Sequence, residues 1–491
     1  MGDDLRDSGE VQLAGGESAS VLLHRALLKA VEAHPTAFGR IGFPSTVDDF
    51  KRQYSLLLPR FEAARADSDE RYEIAATLAD EAQQAFAWRA ESREEPLAER
   101  LAGRASPLRL THEVFAGDGT LRPAVPNGEK VETGAELVAH ARALVDRGSA
   151  SESVAEGISW IVDHAGEDGI DLRGRRIVVL GAAAELAPTR LWLEGGADVL
   201  WIDVASPPDA LLGNATLSGS LQWAEDGADL LRDPVRIRAT VEQFAGSEGV
   251  DIGLYAYAPG RAREWRLTGA MNAIVNALPS AAIRSVTMLV SPTTPGVRTP
   301  AEIAGAERRR AQRAGWQAGL DRVGLLGRSP GHVQEGNTCA NCGVVPIQGT
   351  SYQAAQYLGK LMTAETWRTA DPPLHVSASM AGISRTRSLR HPVFDTAFGG
   401  AEAFGVETFE PATTAALNGL LTLRDWLDPA SSTHPVAQSD AKPKRGNGQA
   451  PTRVHGGIYE HPYVLEKTLR VATAIGVIKE PRQIGALLRR S

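Results

Sequence analysis

Gly181 ends an apolar run, Ile177 to Leu180, and Asp203 ends a second one, Val199 to Ile202. Between them lies a helical pattern through Leu186, Leu191, Trp192 and Leu193, closed by Gly195-Gly196. Strand, glycine turn, helix, strand and acid, in that order, is the plan of a mononucleotide-binding βαβ unit. The glycine lets the chain turn where a Cβ would obstruct. The start of the helix offers N–H groups and a positive dipole end to a diphosphate. Asp203, about 20 residues on, can accept hydrogen bonds from a ribose diol. Ala183, Glu185 and Leu186 fall in the turn that would line the phosphates. The Glu185 carboxylate is repulsive there unless it points away or meets a cation.

Two other groups carry reactive side chains. Cys339 and Cys342 form a Cys-x-x-Cys with His332 as the only nearby histidine. That spacing suits half of a zinc site, a redox pair or two ordinary thiols. His455-Gly-Gly-Ile-Tyr-Glu-His461, followed by Tyr463, either closes over a pocket or docks the tail. Tyr352, Gln356 and Lys360 recur every fourth residue, so a helix here puts them on one face. The long Lys360 side chain leans toward the helix start; a surface lysine is the competing reading.

The elements that position these groups read as follows. Amphipathic helices are expected from Ser20 to Val31, from Val47 to Ala64 and from Asp69 to Trp88, with a solvated segment from Glu91 to Arg104. Residues 106–132 read as irregular or a hairpin, and helices return at Ala135–Val145 and Val154–His164. From Asp171 strands and helices alternate, which predicts a parallel sheet with crossover helices. The expected organisation is a disordered 1–17, a helical accessory domain over 18–170 and an α/β, doubly wound parallel-sheet Rossmann domain over 171–428. Residues 292–337 are an insertion with a basic helix, 429–453 a linker, and 454–491 a C-terminal docking segment.

The chain has 491 residues and a net charge of −8, so a nucleic-acid partner has no electrostatic support. Two cysteines cannot build a disulfide scaffold, no secretory signal opens the chain, and no apolar run has spanning length. A cytoplasmic protein with no membrane partner is expected.

Over about 172–428 the chain resembles the short-chain dehydrogenase/reductase family. The landmarks are Gly181, the acidic strand end at Asp229-Leu230, the strand Asp251 to Ala258, the strand closing at Ser291, Ser351-Tyr352-Gln-Ala-Ala-Gln356, and Val376 to Thr386 with Ala381-Gly382. The resemblance implies NAD or NADP as cofactor, with NAD favoured by Asp203. It implies cofactor contacts from Asp229, Leu230, Ala256, Tyr257, Ala258, Gly382 and Thr386. It further implies a small-molecule substrate, homo-oligomers, Tyr352 as general acid and Ser291 as its partner on the carbonyl oxygen. The family's Tyr-x-x-x-Lys pair reads Tyr352-x-x-x-Gln356, so Lys360 or an ordered water would replace the missing lysine. The interval before Tyr352 also admits the Thr338 region in place of Ser291. The first reading is an oxidoreductase acting on a carbonyl or alcohol. The second is a nucleotide-binding relative without hydride transfer, and a methyltransferase is a weaker third.

Overall fold

The computed structural model describes residues 9–91, 93–260, 262–327, 330–365, 375–377, 382–390, 392–431 and 460–479. In chain order its principal strands are β1 (Glu10–Leu13), β2 (Phe86–Ala90), β3 (Arg93–Pro96), β4 (Leu110–Ala116), β5 (Arg176–Leu180), β6 (Asp198–Ile202), β7 (Ser218–Ala224), β8 (Val250–Leu254) and β9 (Ile283–Met288). They continue with β10 (Val297–Arg298), β11 (His332–Glu335), β12 (Thr338–Asn341), β13 (His375–Ser377), β14 (Ile383–Ser384) and β15 (Thr408–Phe409). The helices used below are α1 (Ala19–Ala33), α2 (Val47–Asp67), α3 (Arg71–Gln84), α4 (Gly134–Asp146), α5 (Glu152–Ala165), α6 (Thr189–Glu194), α7 (Pro234–Ala245) and α8 (Arg263–Asn276). After them come α9 (Pro300–Ala311), α10 (Gly315–Arg322), α11 (349–365), α12 (Pro392–Ala401), α13 (Pro411–Leu427) and α14 (Leu465–Lys479).

The chain is a mixed α/β protein built on one seven-stranded sheet in the order β13-β9-β8-β5-β6-β7-β4. Six strands are parallel, and β4 closes the edge antiparallel to β7. Strand side chains alternate between faces. Val178, Leu180, Leu200 and Ile202 therefore enter one hydrophobic cluster, with α7, α8 and the N-terminal helices. Ile177, Val179, Val199 and Trp201 enter another, with α5, α6 and α13. Burial on both sides explains why β5 and β6 are continuous apolar runs rather than alternating ones. Because the six strands run the same way, all their carboxyl ends lie along one edge.

The N-terminal part folds onto this sheet. In α1 the Ser18 hydroxyl accepts the Val21 N–H and caps the helix, whose Leu22, Leu23, Ala26, Leu27 and Ala30 are buried on one face. Four expectations are corrected here. Residues 10–13, expected to be disordered, form β1, which pairs with β2. The third amphipathic pattern ends at Gln84, and Phe86 to Ala90 is a strand. The segment 91–104, expected to be solvated, holds β3 and a short helix that buries Leu97 and Leu101. Residues 110–116 belong to the main sheet, so the part over 18–170 is not purely helical.

The basic helix expected within 301–322 is two helices, α9 and α10, separated at 312–314. Thr299 and Glu302 cap α9 reciprocally. Within the tail, α14 packs on α12 around Phe398, Leu469 and Ala472. Most of the expected linker, residues 432–453, and His455 to Tyr459 lie outside the described residues. Glu460 pairs with Arg309 of α9 at 2.9 Å, so the tail docks on the insertion at that point.

Candidate active site

Gly181 leaves β5 with φ of +89°, a left-handed conformation that favours glycine. A Cβ there would lie 2.2 Å from the Ala256 amide nitrogen. The Ala256 N–H also donates to the Leu180 carbonyl at 3.0 Å. The requirement for glycine thus comes from the neighbouring strand exit, at the place where β8 and β6 leave β5 on opposite sides.

The turn after Gly181 differs from expectation in three ways. Residues 182–186 form turns and a bend, and α6 begins only at Thr189 and is six residues long. No helix N-terminus therefore follows the glycine directly. Asp203 already holds this turn, because its Oδ2 accepts the Ala183 N–H at 3.0 Å and its Oδ1 the Ala205 N–H at 3.1 Å. Glu185 points away from the glycine turn to the segment after β14, where it accepts the Arg387 N–H at 2.8 Å. Leu186 is half-buried beside it.

The remaining expected cofactor contacts divide. Ala256, Tyr257 and Ala258 leave β8 at the carboxyl edge, next to Gly181. Asp229 accepts the Leu231 N–H at 2.9 Å and so braces its own turn, while Leu230 is buried in the hydrophobic cluster. The Leu231 carbonyl accepts the Val11 N–H of β1, which covers this turn. Gly382 abuts Phe409, whose ring leaves no room for a Cβ. Thr386 shares a hydrogen bond with Ser388 at 3.0 Å in the segment that meets Glu185. Asp251 sits at the opposite, amino-terminal edge, fully buried and held by Arg175 and Ser285.

Tyr352, Ser291 and Gln356 do meet. Ser291 lies three residues beyond β9, and its N–H donates to Gln356 Oε1 at 2.8 Å. Its hydroxyl is 2.9 Å from Thr293 Oγ1, and Thr293 donates to Gln348 Oε1 at 2.7 Å. Burial raises the pKa of the Tyr352 phenol above its ordinary value, against the opposing hydrogen bonds of Ser291, Thr293 and Gln348. Tyr257 stands edge-on to Tyr352 with ring centroids 6.0 Å apart. Burial likewise pushes its phenol up. The Thr338 region is elsewhere: Thr338 donates to Asp67 of α2 at 3.0 Å.

Lys360 does not join them, which corrects its expected role. It is buried, and its ammonium donates to Glu62 Oε1 at 3.0 Å and to the Pro295 carbonyl at 2.7 Å. Two stretches of α11, Ala354–Leu358 and Leu361–Glu365, are wound as π-helix. The wider turn shifts the face on which each later residue emerges. The surface reading of Lys360 fails as well.

Three residues of the site carried too little signal in the sequence to be found: Thr293, Gln348 and Glu264. Glu264 is 7% exposed in the first turn of α8, and its charge acts on both Tyr352 and Tyr257. Its one visible cue is an acid just past a loop at a strand's carboxyl end.

Cys339 and Cys342 are buried free thiols. Cys339 lies in β12 and Cys342 directly follows it. Three steps of extended chain span about 10 Å and reverse the face, beyond disulfide reach. The redox-pair reading therefore fails, and among the described residues no group of three or more His, Cys, Asp or Glu could hold a metal. No protein-family model matches the chain, and no curated protein matches it.

Proposed function

We propose that the chain is an NAD(P)-dependent oxidoreductase of short-chain dehydrogenase/reductase type, working on a carbonyl in the reducing direction. The observation that carries this reading is the meeting of Tyr352 with Ser291 and Gln356 beside the carboxyl ends of β8 and β9. The strand order supports it. In chain order the six parallel strands lie 3-2-1-4-5-6, the order of doubly wound dinucleotide-binding sheets, with Gly181 at the switch point.

The Gly181 turn, braced by Asp203 through the Ala183 N–H, would hold one half of the dinucleotide and Ala256 to Ala258 the other. With Glu185 turned to Arg387, its carboxylate leaves the glycine turn clear. When bound, the cofactor supplies the hydride. The chain's residues do the rest. The Tyr352 phenol and the Ser291 hydroxyl donate to the carbonyl oxygen, and the phenol passes its proton to the forming alkoxide. A phenol whose pKa is raised remains protonated at neutral pH, which suits reduction better than oxidation. The half-buried Gln356 fixes the Ser291 backbone rather than supplying a field.

A titration of NADH fluorescence tests the binding step, and Tyr352→Phe tests the acid. Binding with loss of turnover in Tyr352→Phe is expected; full turnover in that variant removes Tyr352 from the chemistry. A second reading is a dinucleotide-binding relative without hydride transfer. The engagement of Lys360 with Glu62 favours it, because the cation expected to replace the family's lysine beside the phenol is held elsewhere. NADH binding without reduction of any carbonyl compound would select it.

A further inference from the structure

Glu264 is a buried carboxylate that the proposed chemistry does not use. It is 7% exposed, and its Oε2 is buried without a hydrogen-bond partner among the described residues. Leaving such an oxygen desolvated and unmatched is costly, so most buried acceptors find a donor. Its position is fixed from the backbone. Ala262, in a left-handed conformation, turns the chain out of the strand-exit loop that bears Tyr257, and Glu264 follows in the first turn of α8. Helix α8 packs along α11, which carries Tyr352. The carboxylate therefore acts on both phenols, and in each case its charge opposes their ionisation.

Two aromatic rings at 6.0 Å and a desolvated carboxylate make a specific combination. Ring faces attract cations, and a carboxylate gives charge-assisted hydrogen bonds to N⁺–H donors. Tyr257 is 40% exposed, so the ring pair opens to solvent on one side, while the Glu264 carboxylate is covered. We infer that Glu264, Tyr257 and Tyr352 form a subsite for a protonated amine, and that the substrate carries such a group close to its reacting carbonyl. A substrate without a donor would leave Glu264 Oε2 unmatched, and a neutral donor would leave its charge uncompensated. An amine supplies the missing donor and places a positive charge against the carboxylate. The substrate class rests on the reading of Tyr352 as the acid; the amine subsite does not, and rests on the ring pair, the unmatched Glu264 oxygen and the packing of α8 on α11.

The test uses n-butylammonium as probe, with n-butanol as its neutral counterpart. Ligand-observed NMR on the full chain should show butylammonium binding at least tenfold more tightly than butanol. Glu264→Gln should weaken the ammonium by about 10- to 100-fold, the worth of one hydrogen bond to a charged group, and leave butanol unchanged. Equal binding of the two probes, or an unchanged ammonium affinity in the variant, overturns the subsite. A second measurement needs no variant. With ring-labelled tyrosine in the unaltered chain, butylammonium should move the Tyr257 and Tyr352 resonances, and absence of movement there also overturns the subsite. NADH titrated into the same sample separates the two proposals. Ammonium binding without NADH binding removes the oxidoreductase and keeps the subsite; the reverse removes the subsite alone.

Discussion

Lys360 Nζ lies 3.0 Å from Glu62 Oε1, and the contact ties α11 to α2 through the middle of the protein. Glu62 is 1% exposed and also receives Arg65 Nε at 2.8 Å, Arg65 Nη2 at 3.0 Å and the Tyr357 hydroxyl at 2.8 Å. Four donors on one buried carboxylate leave little of its charge unmatched. Removing one partner from such a set costs about 3–5 kcal/mol, because a desolvated charge remains behind. Lys360→Met is expected to lose that much stability in urea unfolding. Replacing Glu62 and Lys360 together should cost less than the two single changes summed. Additive losses would show that the pair is not coupled.

The same network sets an acid limb. Burial alone pushes the Glu62 carboxyl up, but the Arg65 and Lys360 charges and their hydrogen bonds outweigh it and hold it at about 2. A depressed carboxyl stabilises the fold above its unfolded value, 4.5, and that contribution disappears as pH falls through about 2. The span corresponds to about 3 kcal/mol. His461 acts earlier. Burial lowers its imidazole from 6.5 to about 4, so the unfolded chain takes up a proton first and stability declines across that interval. Stability measured against pH should therefore fall in two stages, one below 6.5 and one below 4.5. Glu62→Gln should flatten only the second. A limb that survives in that variant would locate the acid sensitivity elsewhere.

Gly181→Ala tests the strand exit. The new methyl would meet the Ala256 backbone at 2.2 Å, at a φ of +89° that L side chains avoid. The strain alone costs about 1–3 kcal/mol, and displacement of the Ala256 loop adds to it. A lowered Tm and weakened NADH binding are expected together. Gly349→Ala, also at positive φ but with no described atom within 4 Å of its Cβ, should show the backbone strain without the clash. Equal losses at the two positions would mean that contact with Ala256 is unimportant.

Local rules carried the sequence reading as far as β5 to β9 and their helices, because buried parallel strands are continuous apolar runs bounded by glycine. Gly181 was legible because one residue type alone fits its turn. Lys360 was misplaced for a non-local reason: its partner Glu62 lies 298 residues away, and no spacing within α11 announces it. The π-helical turns then break the every-fourth-residue rule that had grouped it with Tyr352. Strand β4 was missed because its pairing with β7 is an antiparallel edge contact across more than a hundred residues. Nothing in the sequence around Asp203 announces that the Ala183 amide turns back onto it.

Cys339 and Cys342 should behave as inert thiols. Burial raises both, Cys342 to about 11, so little thiolate exists near neutrality. Alkylation of the native chain at pH 8 is expected to be slow at both positions and to become fast in denaturant. Oxidants should leave both thiols titratable. A rapid loss of two thiols from the native protein would contradict the extended geometry of β12.

Tyr352 offers a test that needs no substrate. Burial, the largest influence, raises its phenol above 10.0, and the Glu264 charge acts the same way, while Ser291, Thr293 and Gln348 oppose them. Since the ionised form is the disfavoured one, the phenol stays protonated at pH values where a free tyrosine would titrate. Ultraviolet difference absorption of tyrosinate, compared between the unaltered chain and Tyr352→Phe, isolates this one group. At pH 10 the difference between them should be less than the half-ionised signal of a free tyrosine, and Glu264→Gln should bring the onset of ionisation to lower pH. A carbonyl-reducing rate, where one is found, should accordingly have no basic limb below that point. An isolated Tyr352 signal at or below the ordinary phenol range would mean that a cation stands beside it, in the place where Lys360 was first expected.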